Sequence, residues 1–136
     1  MKRILLINDE PDLLQMCKMV LESEGYSVDV TTAASRAVQL ARNADVVLLD
    51  LVMPRAAGEN VFRWLREAPE TGEIPVIIMS ALDDAKERAD GMGADGFVAK
   101  PFTPAALVDA VERALAASKE RSLRPKSAGG GDRRAQ

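Results

Sequence analysis

The chain has 136 residues, 47% of them hydrophobic and 29% charged, with a net charge of −3, which suits one globular domain and leaves little room for two independent cores. Histidine is absent and there is one cysteine, Cys17, which excludes Ser-His-Asp and Cys-His catalysis, His-ligated zinc, multi-cysteine metal clusters and an internal disulfide framework. Aromatic residues make up only 4%, so the core must be aliphatic.

The apolar run Ile4–Ile7 is too short for a signal-peptide core, and acids follow where a cleavage site would need small residues. No stretch is long and apolar enough to span a membrane, so the sequence predicts a cytoplasmic protein. Charge is unevenly spread. Residues 119–136 carry Lys119, Arg121, Arg124, Lys126, Arg133 and Arg134 against Glu120 and Asp132, which leaves an acidic body and argues against broad nucleic-acid binding.

Short apolar runs alternate with helix-period segments. Arg3–Ile7 reads as a strand, followed by a helix over Pro11–Glu24 with Leu13, Leu14, Cys17, Val20 and Leu21 at helical spacing and Gly25 as its C-cap. Ser27–Thr31 alternates like a half-buried strand, and Ala33–Arg42 reads as a short helix. Asp45–Asp50 is an apolar run between two acids, expected of a strand covered on both faces; Pro54 and Gly58 then mark a loop before a helix over Glu59–Glu67. Ile74–Met79 is a second buried strand, Asp84–Gly91 a polar helix and Gly96–Ala99 a short strand. Thr103–Ser118 is the last helix, with Thr103-Pro104 as N-cap and first turn.

Numbered in chain order, these elements are β1 to β5 and α1 to α5. Strict alternation predicts an α/β fold with a parallel sheet and helices on both faces, and five units favour the flavodoxin-like (βα)5 doubly wound order 2-1-3-4-5. The domain is expected over 1–118, with 119–136 as a basic, Gly-rich, disordered tail. Ligands of this architecture bind beyond the C-terminal strand ends, which here carry Asn8-Asp9-Glu10, Asp50, Ser80 and Lys100. Taken singly, Asp9 reads as a helix-start acid, Asp50 as a loop cap, Ser80 as a turn hydroxyl and Lys100 as a surface charge. Together they make a crevice suited to Mg2+ and a phosphoryl group, with a carboxylate as nucleophile and the lysine and hydroxyl on the phosphoryl oxygens.

Four motifs carry a resemblance: Ile4-Leu5-Leu6-Ile7-Asn8-Asp9-Glu10-Pro11, Val47-Leu48-Leu49-Asp50-Leu51-Val52-Met53-Pro54 with Gly58, Ile78-Met79-Ser80-Ala81, and Gly96-Phe97-Val98-Ala99-Lys100-Pro101-Phe102. Over residues 2–118 the chain resembles the CheY-like receiver domain of two-component response regulators. The resemblance implies that Asp50 is the phosphoacceptor for a phosphoryl group from a sensor histidine kinase or a histidine phosphotransfer protein. It implies Mg2+ (or Mn2+) on Asp9, Asp50 and the Val52 backbone carbonyl. Ser80 and Lys100 would bind the phosphoryl group, Phe97 would change rotamer on activation, and the Lys100-Pro101 bond would be cis. Output would pass to an effector protein through the α4-β5-α5 face, a face that can also form homodimers. The protein would then be a phosphoacceptor signalling protein and not an enzyme in the usual sense.

One departure stands out: the family places two acids where this chain has Asn8-Asp9. Weaker Mg2+ binding is expected, with Asn8 able to orient a metal-bound water. Val52 and Leu82 are apolar at positions where polar side chains help place the attacking water, so slow self-dephosphorylation is expected. Alternatives are a pseudo-receiver or a receiver cut from a longer regulator, either acting by binding. A phosphohydrolase with Asp50 as nucleophile would need an acid where Val52 stands, and a flavodoxin-like electron carrier would need a Ser/Thr/Gly-rich loop after β1. Gly91-Met92-Gly93-Ala94-Asp95-Gly96 spells GxGxxG but precedes a strand, so it reads as an αβ turn. Cys17 reads as a buried small hydrophobe, and Met16, Met19 and Trp64 as core or half-covered surface. The 18 residues after Ser118 are too few for a DNA-binding helix-turn-helix domain, so output by protein contact is expected.

Overall fold

The computed structural model describes residues 1–51, 53, 58–81 and 83–123. Strands β1 (Arg3–Ile7), β2 (Ser27–Thr31), β3 (Val46–Asp50), β4 (Val76–Ser80) and β5 (Gly96–Ala99) pair in parallel in the order β2-β1-β3-β4-β5. This is the doubly wound order that the alternation of elements predicts. Helices α1 (Pro11–Ser23) and α5 (Pro104–Leu123) pack on one face; α2 (Ala37–Ala41), α3 (Gly58–Glu67) and α4 (Ala85–Met92) pack on the other.

Period-2 alternation divides each strand between the two cores. Ile4 and Leu6 of β1, Val46 and Leu48 of β3, and Ile77 and Met79 of β4 meet Leu14, Cys17 and Leu21 of α1 and Leu107 and Val111 of α5. Leu5 and Ile7, Val47 and Leu49, and Val76 and Ile78 face Ala37, Val61, Leu65 and Ala89. Every residue of β3 and β4 is buried, as continuous apolar runs require.

Boundaries moved where backbone chemistry intervened. Pro75 has no N–H to give the ladder, so β4 begins at Val76, not Ile74, and it extends to Ser80, which pairs with Ala99. The segment expected as one helix over 33–42 splits into a 3-10 turn, Ala34–Arg36, and the short α2; the Arg36 N–H reaches Ala33 O, three residues back. Helix α5 runs to Leu123, five residues past the expected end at Ser118, so residues 119–123 are helical and not tail. The Ala-, Lys-, Glu- and Arg-rich run after Leu115 favours helix without an apolar stripe. Residues 124–136 lie outside the described residues.

Caps agree with the sequence. The Thr103 hydroxyl accepts the Ala106 N–H at 3.1 Å, and Gly25 and Gly93 adopt the left-handed conformation after α1 and α4. Gly93 lies in the GxGxxG stretch, which forms the end of α4, its cap and the start of β5. Met16, Met19 and Trp64, expected as core or half-covered surface, are all exposed, Met19 most at 69%; the two methionines lie off the Leu14, Cys17 and Leu21 stripe.

Candidate functional site

The site is built at the C-terminal ends of the strands. Asn8 and Asp9 follow β1, Asp50 closes β3, Ser80 closes β4 and Lys100 follows β5. Asp50 is buried, and its Oδ2 accepts a hydrogen bond from Lys100 Nζ at 2.9 Å. Lys100 Nζ also reaches Glu10 Oε1 at 3.4 Å, so one ammonium bridges β1, β3 and β5. The Lys100 backbone N–H donates to Ser80 O at 3.0 Å, and the Lys100-Pro101 peptide is cis. Burial pulls the Lys100 ammonium down, but its hydrogen bond to Asp50 and the charges of Asp50 and Glu10 outweigh that and raise its pKa above 10.5. With the pKa raised, the pair's contribution is in place at neutral pH and is lost only as pH climbs through the alkaline range where Lys100 deprotonates.

Gly58 sets the position of the Asp50 backbone. A Cβ at Gly58 would overlap Asp50 O and come within 2.6 Å of Leu51 Cα, while the Gly58 N–H donates to Leu51 O at 2.9 Å. Only glycine lets the start of α3 approach the end of β3 this closely.

Asn8 is fully buried, its Oδ1 accepting the Glu10 N–H at 2.8 Å. Asp9 lies half-buried beside it, and Ser80 is buried at the end of β4. Phe97 lies on β5 three residues before Lys100, packed against the core under α2, α3 and α4, on the opposite sheet face from Lys100. Val52 and Leu82, on which part of the metal shell and the slow phosphate loss were expected to depend, lie outside the described residues. Glu10 was the contact that sequence reading missed: its acidic neighbours were visible, but its reach to Lys100 depends on the turn into α1.

Cys17, on the core face of α1, is buried, which pushes its thiol up to about 11, although the Lys100 charge works in the other direction.

The family model for the response regulator receiver domain matches residues 4–112. The chain belongs to that family. The receiver is 31% identical to the response regulator SaeR of Staphylococcus aureus (strain USA300) over 128 residues, which cover 92% of this chain and 55% of SaeR. It thus spans about half the length of the curated relatives it matches. Among solved structures it is similar to a response regulator receiver domain protein from Clostridium thermocellum, with 28% identity, TM-score 0.79, and 88% of this chain and 98% of that one covered. It is also similar to the chemotaxis response regulator CheY4 of Vibrio cholerae, with 26% identity, TM-score 0.76, and 85% and 99% covered. Receiver domains are signalling domains of two-component systems, which work with histidine kinases and effectors and typically bind Mg2+ at an acidic pocket. Among the described residues, no helix is long and apolar enough to cross a membrane.

Proposed function

We propose that this receiver accepts a phosphoryl group on Asp50 from a phosphohistidine of a sensor kinase or phosphotransfer protein. The observation that carries the reading is the buried Asp50 carboxylate, fixed by Lys100 at 2.9 Å at the C-terminal end of the central strand. In the transfer, an Asp50 carboxylate oxygen forms a bond to phosphorus as the phosphorus–nitrogen bond of phosphohistidine breaks. The imidazole leaves with that electron pair and takes a proton from solvent. The donor histidine lies outside this sequence, which has none.

Attack of one anion on another is opposed by charge, and Lys100 offsets that repulsion where burial strengthens its field. The oxygen donors fit Mg2+: Asp9 and Asp50 offer the hard carboxylate oxygens that this ion prefers. Among the described residues no three His, Cys, Asp or Glu side chains converge on one point, so Asp9 and Asp50 would hold the ion together with waters and phosphoryl oxygens. Bound there, the ion supplies further neutralisation of the phosphoryl charge.

Ser80 and Lys100 are joined through their backbones, so movement of either toward a new phosphoryl oxygen pulls on the β4 and β5 ends together. Phe97, on β5 between that end and the core beneath α4, would carry the shift to the α4-β5-α5 face, where an effector would dock. The length of SaeR favours a second arrangement of the same chemistry, in which this receiver forms one part of a longer regulator.

Intact mass after incubation with Mg2+ and acetyl phosphate tests the reading. A single phosphate adduct that vanishes in Asp50→Asn is expected. No adduct at any Mg2+ concentration would make the protein a pseudo-receiver acting by binding alone.

A further inference from the structure

Asn8 has one buried atom left over. Its Oδ1 faces the Glu10 N–H, and because that N–H can only donate, the contact fixes which way round the amide lies. Nδ2, with two protons to give, is then buried without a hydrogen-bond partner among the described residues. Leaving such a donor unmatched costs about 1–3 kcal/mol, so it points to a partner that the described residues do not supply.

The sheet indicates what that is. Register pairs Ile7 with Leu49, so the next step along the two strands sets Asn8 beside Asp50. Alternation puts them on one face: Leu6 and Leu48 both face the α1/α5 core, and Asn8 and Asp50 follow each of them by two residues. Lys100 follows Val98 in the same parity and touches Asp50. Neighbouring strands stand about 4.8 Å apart, within reach of a short amide and an anion mounted on the adjacent strand.

Resting on the reading of Asp50 as phosphoacceptor, we propose that Asn8 is a ligand of the phosphoryl group, its Nδ2 donating to a phosphoryl oxygen and so lessening the pocket's need for a divalent cation. An acid at this position could only accept, would add negative charge and would lean on a metal ion to approach the phosphoryl oxygens. The amide removes that charge and offers a donor instead. The sequence expectation for Asn8, orienting a metal-bound water, can still use the second lone pair of Oδ1, whereas Nδ2 is the atom free to meet a phosphoryl oxygen.

Beryllofluoride, a phosphoryl mimic, tests this on the intact chain by fluorine NMR, with Mg2+ varied from chelated to millimolar. Wild type is expected to bind with an affinity that changes by less than about threefold over the series. Asn8→Asp should bind about tenfold more weakly without Mg2+ and recover as it is added, while Asn8→Leu should lose about tenfold throughout. The Asn8 side-chain amide protons of labelled wild type should shift downfield on binding, a signal that a purely structural amide would not give.

A wild-type Mg2+ dependence as steep as that of Asn8→Asp, or amide resonances that do not move, would overturn the inference. If acetyl phosphate still labelled Asp50 in that case, the phosphoacceptor reading would stand without it. Failure of every form to bind beryllofluoride, Asn8→Asp included, would overturn both.

Discussion

The sheet carries an ion pair at each end, and the two are built differently. At the N-terminal ends of β4 and β5, Asp95 Oδ2 accepts both Arg66 Nη2 at 2.7 Å and the Val76 N–H at 2.8 Å. Arg66 meanwhile donates to the carbonyls of Ile74 and Gly93 and stacks over the Phe62 ring at 4.7 Å. At the C-terminal ends, Lys100 is shared between Asp50 and Glu10, and the Asn8 donor beside them is unmatched among the described residues. Guanidinium suits the first role, with a planar fork that takes several fixed acceptors, and ammonium the second, a point charge on a flexible stem that can change partner. A saturated pair ties elements together; a shared one leaves an interaction to be redistributed.

The largest expected effect comes from breaking the C-terminal end by crowding it. Gly58→Ala drives a methyl into the Asp50 and Leu51 backbone and should lower stability by about 3 kcal/mol, read by urea denaturation, and depress phosphate adduct formation as well. Next is Asp95→Ala, which strands the Val76 N–H and leaves the Arg66 guanidinium without its carboxylate. A loss of about 2 kcal/mol is expected, with labelling of Asp50 retained in the fraction that stays folded. Asp50→Asn sharpens the contrast: adduct formation should disappear while stability changes by no more than about 1 kcal/mol, because Lys100 keeps Glu10 and access to solvent.

The last effect is a pH dependence, confined to the alkaline range. The folded Cys17 thiol keeps its proton up to about 11, whereas an unfolded thiol loses it near 9.0. Folding therefore binds a proton across that window, and stability should fall as pH rises through it. Cys17→Ala should flatten that part of the alkaline unfolding curve. In Lys100→Met, loss of the positive charge should move the thiol higher still, measured by thiolate absorbance.

Much of this was legible in the sequence because buried parallel strands must be apolar throughout, and a polar residue ending such a run has few reasons to be there. Asp50 after Val46–Leu49, Ser80 after Val76–Met79 and Lys100 after Phe97–Ala99 all stood out on that ground. What stayed hidden depends on three-dimensional reach. Glu10 stood in the strand-end group with no role assigned until the turn into α1 brought it to Lys100. The Arg66–Asp95 link joins residues 29 apart with no local pattern to mark them. Asn8 was visible as a missing charge, but its spare donor is a property of burial and of the Glu10 N–H. The exposure of Met19 and the continuation of α5 past Ser118 were missed because methionine and alanine serve core and surface helix alike.

Strand β3 has no exposed residue and lies at the centre of the sheet, with β1 and β4 hydrogen-bonded on either side. Its amides have no way to meet solvent short of opening most of the molecule, so their exchange should report the global free energy of unfolding. Strand β5 stands at the edge, with Ala99 exposed and a single neighbouring strand, and should exchange by smaller openings. The proposed acceptor is therefore mounted on the last part of the molecule to loosen, and the strand proposed to relay its signal is one of the first. Asp50 keeps its place while the surface that answers to it is free to change.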